Sequence, residues 1–169
     1  MNLQEVLVRS ATTADVPGIW ALREPLIEKR ILLGRELVEI YESVQELMVA
    51  VSVNGEVLAC GALHVMWKDL AEVRSLVVSE SARGLGLGRK IVDGLLDRAK
   101  TLGIKRVFCL TFETDFFAKL GFGVIEDTPV DAETYAEMVR SSDEGIAEFL
   151  DLARVKQNTL GNSRMLKLL

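Results

Sequence analysis

Arg83, Gly84, Leu85, Gly86, Leu87 and Gly88 spell R-x-x-G-x-G, and an apolar stripe of Ile91, Val92, Leu95, Leu96, Ala99 and Leu102 follows at helical spacing. Glycines so spaced let the backbone approach a ligand closely and turn its amides inward, where the start of a helix also favours an anion. Arg83, Arg89 and Lys90 add positive charge beside the loop. The chemistry is phosphate binding; a glycine-rich turn with solvated charges is the other reading of the same residues. Spacing excludes two common phosphate loops. A P-loop needs Lys and Ser/Thr after its last glycine, but Gly88 is followed by Arg89, Lys90 and Ile91. A dinucleotide fingerprint counted from Gly84 needs glycine where Arg89 stands, and counted from Gly86 needs glycine or alanine where Ile91 stands.

Just upstream, Glu72 and Arg74 lie two residues apart in the run AEVRSLVV. A strand there directs both side chains to one face, about 7 Å apart. A lone arginine in an otherwise apolar strand needs an anion, either Glu72 in a salt bridge or a carboxylate on a ligand. His64 is the single histidine, beside Leu63 and Val65, and reads as structural. Cys60 and Cys109 each lie in an apolar segment and read as buried free thiols, which implies a reducing cytoplasm. With no Cys-x-x-Cys or His-x-x-x-His spacing, no metal site is expected.

The wider chain sets limits on the partner. Its 169 residues suit a single domain over residues 1–169, without repeats or proline-rich linkers. A net charge of -5 argues against nucleic acid, so any anion must be met by a local basic cluster or by backbone amides. Met1 to Glu5 is polar, which argues against a signal peptide, and no apolar run approaches the roughly 18 residues of a membrane span. The location expected is cytoplasmic.

Elements that hold these residues can be read from pattern. EVLVRSAT predicts a first strand, Asp15 a cap for a helix through Pro17, Ile19 and Leu22, and Glu36 to Leu47 a second helical stretch. LMVAVSVNGEVLACGALHVM predicts a hairpin turning at Asn54-Gly55. AEVRSLVV is the next strand, followed by the glycine loop, a helix ending at Gly103, and the strand KRVFCLT, a crossover with parallel neighbours. TDFFAKL predicts a short helix and FGVIED a final strand; Ala132 to Ala153 reads as mostly helical, and NSRMLKLL as an added edge strand. The class is α/β with a mixed sheet.

The loop in this setting resembles motif A of the GCN5-related N-acetyltransferases (GNAT), which cradle the pyrophosphate of acetyl-coenzyme A, and the turn KLGF is a landmark of that family. The resemblance implies the GNAT fold, a mixed, mostly antiparallel sheet splayed at its central parallel strands and flanked by helices. It implies that acetyl-coenzyme A is bound by Arg83 to Arg89, that Val77 and Val78 pair with the pantetheine arm, and that Phe117 lines the cofactor site. VRSATTADVPGIWALREPLIEKRILLGRELVE, AEVRSLVVSESARGLGLG, RVFCLTFETDFFAKLGF and NTLGNSRML are together similar to the acetyltransferase domain of amino-acid N-acetyltransferases, the N-acetylglutamate synthases. The longer members of that family carry an amino-acid-kinase-like domain through which arginine exerts feedback. Nothing precedes the first strand here, so feedback by that route is not expected.

For an acidic amino acid the resemblance offers Arg35 and Arg74 as carboxylate forks, with Lys156, Asn158, Ser163 and Arg164 closing the site from the C-terminal segment. For Lys156 and Arg164 a solvated surface role is an equal reading. Glu72 matches the strand glutamate that serves as general base in related enzymes. Burial would raise its pKa from about 4.3 toward neutrality, whereas Arg74 would hold it down. Many GNAT enzymes place a tyrosine acid where this chain has Phe117, which has no proton to give. Thr111, then Thr114, is the hydroxyl that substitutes. The expected reaction is direct attack by the α-amine of L-glutamate on acetyl-coenzyme A in a ternary complex, the first step of arginine biosynthesis. Another amine as acceptor, or an idle module that only binds coenzyme A or an amino acid, are the alternatives. A homodimer is left open.

Overall fold

The structure, a computed structural model, describes residues 6–32, 34–155 and 161–169. The chain condenses into two compact units, residues 1–63 with 73–98, and residues 64–72 with 99–169. Seven strands follow the order β1-β2-β3-β4-β5-β7-β6, antiparallel in β1–β2, β2–β3, β5–β7 and β6–β7 and parallel in β4–β5. This is the mixed, mostly antiparallel sheet expected of the GNAT fold.

The first unit begins with β1 (Val6–Ser10), a 3-10 turn (Thr13–Asp15) and α1 (Val16–Glu28). Asp15 stands at the N-cap position of α1, but its carboxylate turns back instead. It accepts from Arg9 at 2.7 and 2.9 Å and from the Thr12 amide at 2.7 Å. The second helical stretch is shorter than its sequence suggests. α2 spans Leu37–Glu42, a 3-10 turn spans Val44–Glu46, and Leu47 already belongs to β2 (Leu47–Ser52). The break falls at Ser43, whose hydroxyl donates to the Glu39 carbonyl at 2.6 Å, a local bond that competes with the helix. The hairpin to β3 (Val57–Trp67) turns through Gly55 at φ 81°.

β4 (Leu70–Val78) leads through the glycine loop into α3 (Leu87–Thr101). α3 lies close on the strands: a Cβ at Gly61 would stand 2.7 Å from Ile91, and one at Gly94 2.7 Å from Met48. Those two glycines fix how near the helix sits and so where its first turn points. Val16, Ile19, Ile40, Leu47, Val49 and Val77 belong to this unit's core.

The second unit contains β5 (Arg106–Thr111), α4 (Thr114–Ala118), β6 (Gly123–Val124), α5 (Ala132–Met138), α6 (Glu144–Phe149) and β7 (Ser163–Leu168). Phe108 and Phe149 meet edge to face, 5.4 Å between centroids, in a core with Met66, Leu70 and Ile146. Two expectations change here. FGVIED yields only a two-residue strand, and the tail strand is not the edge: β7 lies between β5 and β6, leaving β6 outermost. The segment from Ala132 to Ala153 is broken at Val139 to Asp143. There Asp143 caps α6 by accepting from Ile146 N–H at 3.0 Å, and Ser141 accepts from the Asp143 amide at 3.1 Å. Among the described residues no helix is long and apolar enough to cross a membrane.

Candidate active site

In the first unit, Gly84 and Gly86 adopt φ of 78° and 71°, the left-handed region that other residues enter only under strain. A Cβ on either glycine would meet nothing within 4 Å, so the backbone there faces open space. The residues therefore fit a diphosphate, which needs room and inward amides. The first bond of the helix at this end runs from Lys90 N–H to the Gly86 carbonyl at 3.1 Å. The N–H groups ahead of Lys90 thus point out of the first turn of α3, where a helix leaves its amides without intrahelical acceptors. Gly88 is helical, Leu87 is buried, and Leu85 is half-buried. Arg83 and Arg89 are exposed, the latter 3.6 Å from Asp93. Val77 is buried and Val78 partly so at the end of β4.

The same unit gathers cations. Arg74 reaches Glu46 at 3.5 Å, which identifies an anionic neighbour of that strand arginine other than Glu72. Arg35 is half-buried just ahead of α2. Sequence reasoning passed over Arg23, which is only 3% exposed. Burial, opposed by Cys60 and assisted by repulsion from Arg35 and Arg74, lowers its pKa from the usual arginine value, with Glu39 opposing. Arg35 and Arg74 thus each stand near enough to the buried Arg23 to repel it. The signal was present: Arg23 follows the buried Val16 and Ile19 at seven and four residues, on an otherwise apolar stripe. Burial pushes the Cys60 thiol up to about 12, so it stays protonated beside them.

The second unit holds the acid–base candidates. Glu72 is 3% exposed and lies against the first turn of α6, where a Cβ on Gly145 would stand 2.0 Å from its Oε2. Only glycine leaves that space. Asp143 borders the same point at 3.1 Å and reaches His64 Nε2 with its other oxygen at 3.5 Å. Cys109 is a buried free thiol, raised in pKa by burial and then by the charge of Glu72. Thr111 is buried, and its oxygen accepts from Glu113 N–H at 2.8 Å, which leaves its own O–H to donate. Ser163 is the register partner of Thr111 across β5 and β7, so these two site candidates are brought side by side.

Other candidates have structural surroundings. Phe117 is buried between Phe116 and Phe122, with centroids at 5.1 and 5.2 Å. Arg164 is buried too: it donates to the Glu148 and Asp127 carbonyls at 3.0 Å each and to the Phe149 carbonyl. The guanidinium thus closes the carboxyl end of α6, a use that neither a surface role nor substrate contact anticipated. Lys156 and Asn158 lie outside the described residues. Among the described residues, no group of three His, Cys, Asp or Glu side chains is placed to hold a metal ion.

Comparisons with known proteins bear on the family and the fold. The model of the Acetyltransferase (GNAT) family matches residues 20–122. An amino-acid acetyltransferase of Mycobacterium tuberculosis (strain ATCC 25618 / H37Rv) is 54% identical over 165 residues, 96% of this chain and 94% of that protein. The crystal structure of Rv2747 from Mycobacterium tuberculosis in complex with CoA and NLQ aligns with TM-score 0.90 and 52% identity, over 96% of this chain and 99% of that one. N-acetylglutamate synthase from Neisseria gonorrhoeae, complexed with coenzyme A and N-acetyl-glutamate, aligns with TM-score 0.77 and 25% identity, over 97% of this chain and 35% of that one.

Proposed function

Since the chain belongs to the acetyltransferase (GNAT) family, we propose that it transfers the acetyl group of acetyl-coenzyme A to the α-amino group of L-glutamate, the first step of arginine biosynthesis. The M. tuberculosis relative is an amino-acid acetyltransferase, and the N. gonorrhoeae structure holds coenzyme A and N-acetyl-glutamate. What supports the choice of an acidic amino acid is the buried Arg23 with Arg35 and Arg74 both near it. Three neighbouring cations, one of them buried, suit a ligand with two carboxylates.

In this reading the diphosphate of acetyl-coenzyme A lies on the amides of Gly84 to Arg89, and the pantetheine arm runs along Val77 and Val78. Glu72 takes a proton from the substrate ammonium, directly or through one water. The freed amine attacks the thioester carbonyl, so that a C–N bond forms and the C–S bond breaks. The leaving thiolate, with a pKa near the 8.5 of a cysteine, is tolerable; the second proton, which the attacking nitrogen sheds as the amide forms, reaches it through the Thr111 hydroxyl, which gives one proton as it takes the other. No covalent acyl-enzyme is required.

Thiol release from acetyl-coenzyme A, measured against a panel of amino acids, tests the proposal. Glutamate is expected to give the highest kcat/KM, with glutamine below it. Release no faster with glutamate than with buffer alone would overturn the reading. A glutamine preference would keep the chemistry and change the acceptor.

A further inference from the structure

His64 lies outside the reaction described so far, yet it ends a short series of ionisable groups that begins at Glu72. The oxygen of Glu72 and that of Asp143 stand 2.0 and 3.1 Å from one point, the site of a Cβ on Gly145. The two carboxylates are therefore no more than about 5 Å apart, the sum of those distances, a gap one water can bridge. The second oxygen of Asp143 faces His64 Nε2 at 3.5 Å. Exposure rises along the series: Glu72 is 3% exposed, whereas the Asp143 and His64 side chains are 18% and 22% exposed.

We propose that Asp143 and His64 carry away the proton that Glu72 acquires, returning the buried base to its carboxylate form before the next turnover. The inference rests on the reading of Glu72 as the base. After transfer, Glu72 is a neutral acid that bulk solvent scarcely reaches. Its proton passes to Asp143, directly or through a water in that gap, then to His64 Nε2, while Nδ1 yields a proton to a solvent base; exchange with solvent then returns the ring to the Nδ1–H tautomer. Charge and protons balance, and no co-reactant beyond buffer is consumed. Imidazole suits the outer position because its two nitrogens exchange protons near neutral pH.

The other ionisable groups on these elements are Cys60 on β3, Arg74 on β4, Glu144 and the buried Glu148 on α6, and Arg106 and Cys109 on β5. Glu144 pairs with Arg154 at 3.5 Å, Arg74 with Glu46 at 3.5 Å and Arg106 with Asp69 at 3.0 Å. Cys109 stays a thiol because burial, reinforced by the charge of Glu72, raises its pKa. Asp143 also caps α6, and that structural duty is separable, because asparagine caps a helix about as well.

The test compares His64→Gln, Asp143→Asn and Glu72→Gln in single-turnover and steady-state acetyl transfer. For His64→Gln, the first turnover should keep its wild-type rate while steady-state kcat falls about 10- to 100-fold. KM for acetyl-coenzyme A should fall in step with kcat, because kcat/KM covers only the steps up to transfer. Added imidazole should restore kcat with saturation, and the solvent deuterium isotope effect on kcat should grow. Asp143→Asn should reproduce the steady-state loss without imidazole rescue, and it serves if the His64 variant fails to fold. Wild-type kcat in both variants, or equal losses in single and multiple turnover, would overturn the relay. Wild-type single-turnover transfer by Glu72→Gln would instead remove Glu72 as the base.

Discussion

The Glu72 carboxylate occupies the space that any side chain at Gly145 would need: a Cβ there would lie 2.0 Å from Oε2 and 2.8 Å from the carboxyl carbon. Gly145→Ala therefore has to displace the Glu72 carboxylate, the proposed base. Because the obstructing atom is the end of a side chain, the cost in stability should be about 1–3 kcal/mol, that of a modest overpacking. A displacement of about 1 Å should lower kcat roughly 100-fold. Steady-state kinetics and calorimetric acetyl-coenzyme A titration check it; unchanged kcat would mean that the carboxylate position does not matter.

Glu72→Gln keeps the shape and removes the proton acceptor. Turnover at pH 7 should fall about 100- to 10,000-fold, with acetyl-coenzyme A affinity retained. Raising the pH should recover part of the rate, since more of the substrate amine then arrives neutral. A pH–rate profile for both proteins measures this.

Gly86→Val imposes a left-handed backbone on a β-branched residue, at φ 71° and with no steric obstacle nearby. The folding cost should be about 1–2 kcal/mol. If the loop holds the diphosphate, acetyl-coenzyme A affinity should fall by more than that strain accounts for, at least about 100-fold. A folded variant that binds coenzyme A normally would exclude the loop from the site.

Arg35→Ala and Arg74→Ala should each raise KM for glutamate about 10- to 100-fold, the value of about 1.5–3 kcal/mol for a charge-assisted contact. Arg74→Lys should recover only part of this, because an ammonium cannot form the bidentate fork. The arginine that meets the side-chain carboxylate should matter less for glutamine than for glutamate. Arg23→Met distinguishes a buried ligand contact from a structural one: a raised KM with normal thermal stability assigns it to the substrate.

Arg9, with the Thr12 amide assisting against burial, holds the Asp15 carboxyl down at about 2. The unfolded value is about 3.9, so this group adds stability in full above pH 4 and loses it as pH falls toward 2. Asp15→Asn should cost about 1–2 kcal/mol at pH 7. Urea midpoints of variant and parent should converge between pH 4 and 2.

Much of the fold was legible because its signals are local. Asn54-Gly55 marks the hairpin, the stripe from Ile91 to Leu102 marks α3, and the glycines mark the loop. The rank of β7 was not legible, since SRMLKL reads equally well as an edge or a central strand and only pairing decides. Two helical stretches were overrun at Ser43 and at Ser141 to Asp143, where short polar side chains bond to nearby backbone. For the candidate site, residue type singles out Arg35, Arg74, Glu72 and the loop. Gly145 carries no signal in the sequence because its role is to be absent. The carbonyl partners of Arg164 were not legible, because a buried arginine satisfied by carbonyls cannot be told by type from one that awaits a carboxylate.

β7 lies between β5 and β6, yet it follows both in the chain, with Val124 and Ser163 about 40 residues apart. During synthesis at about 5–20 residues per second, the roughly 50 residues from Thr111 to Ser163 keep β5 waiting about 3–10 s for its antiparallel partner. Through that interval one side of β5 presents unpaired N–H and C=O groups, a template for any passing strand. β6 cannot fill the vacancy, because it pairs with Leu166 and Met165 on β7 itself. The nascent protein is thus most open to mispairing late in its emergence, and a ribosome that stalls shortly before residue 163 would hold it in that state.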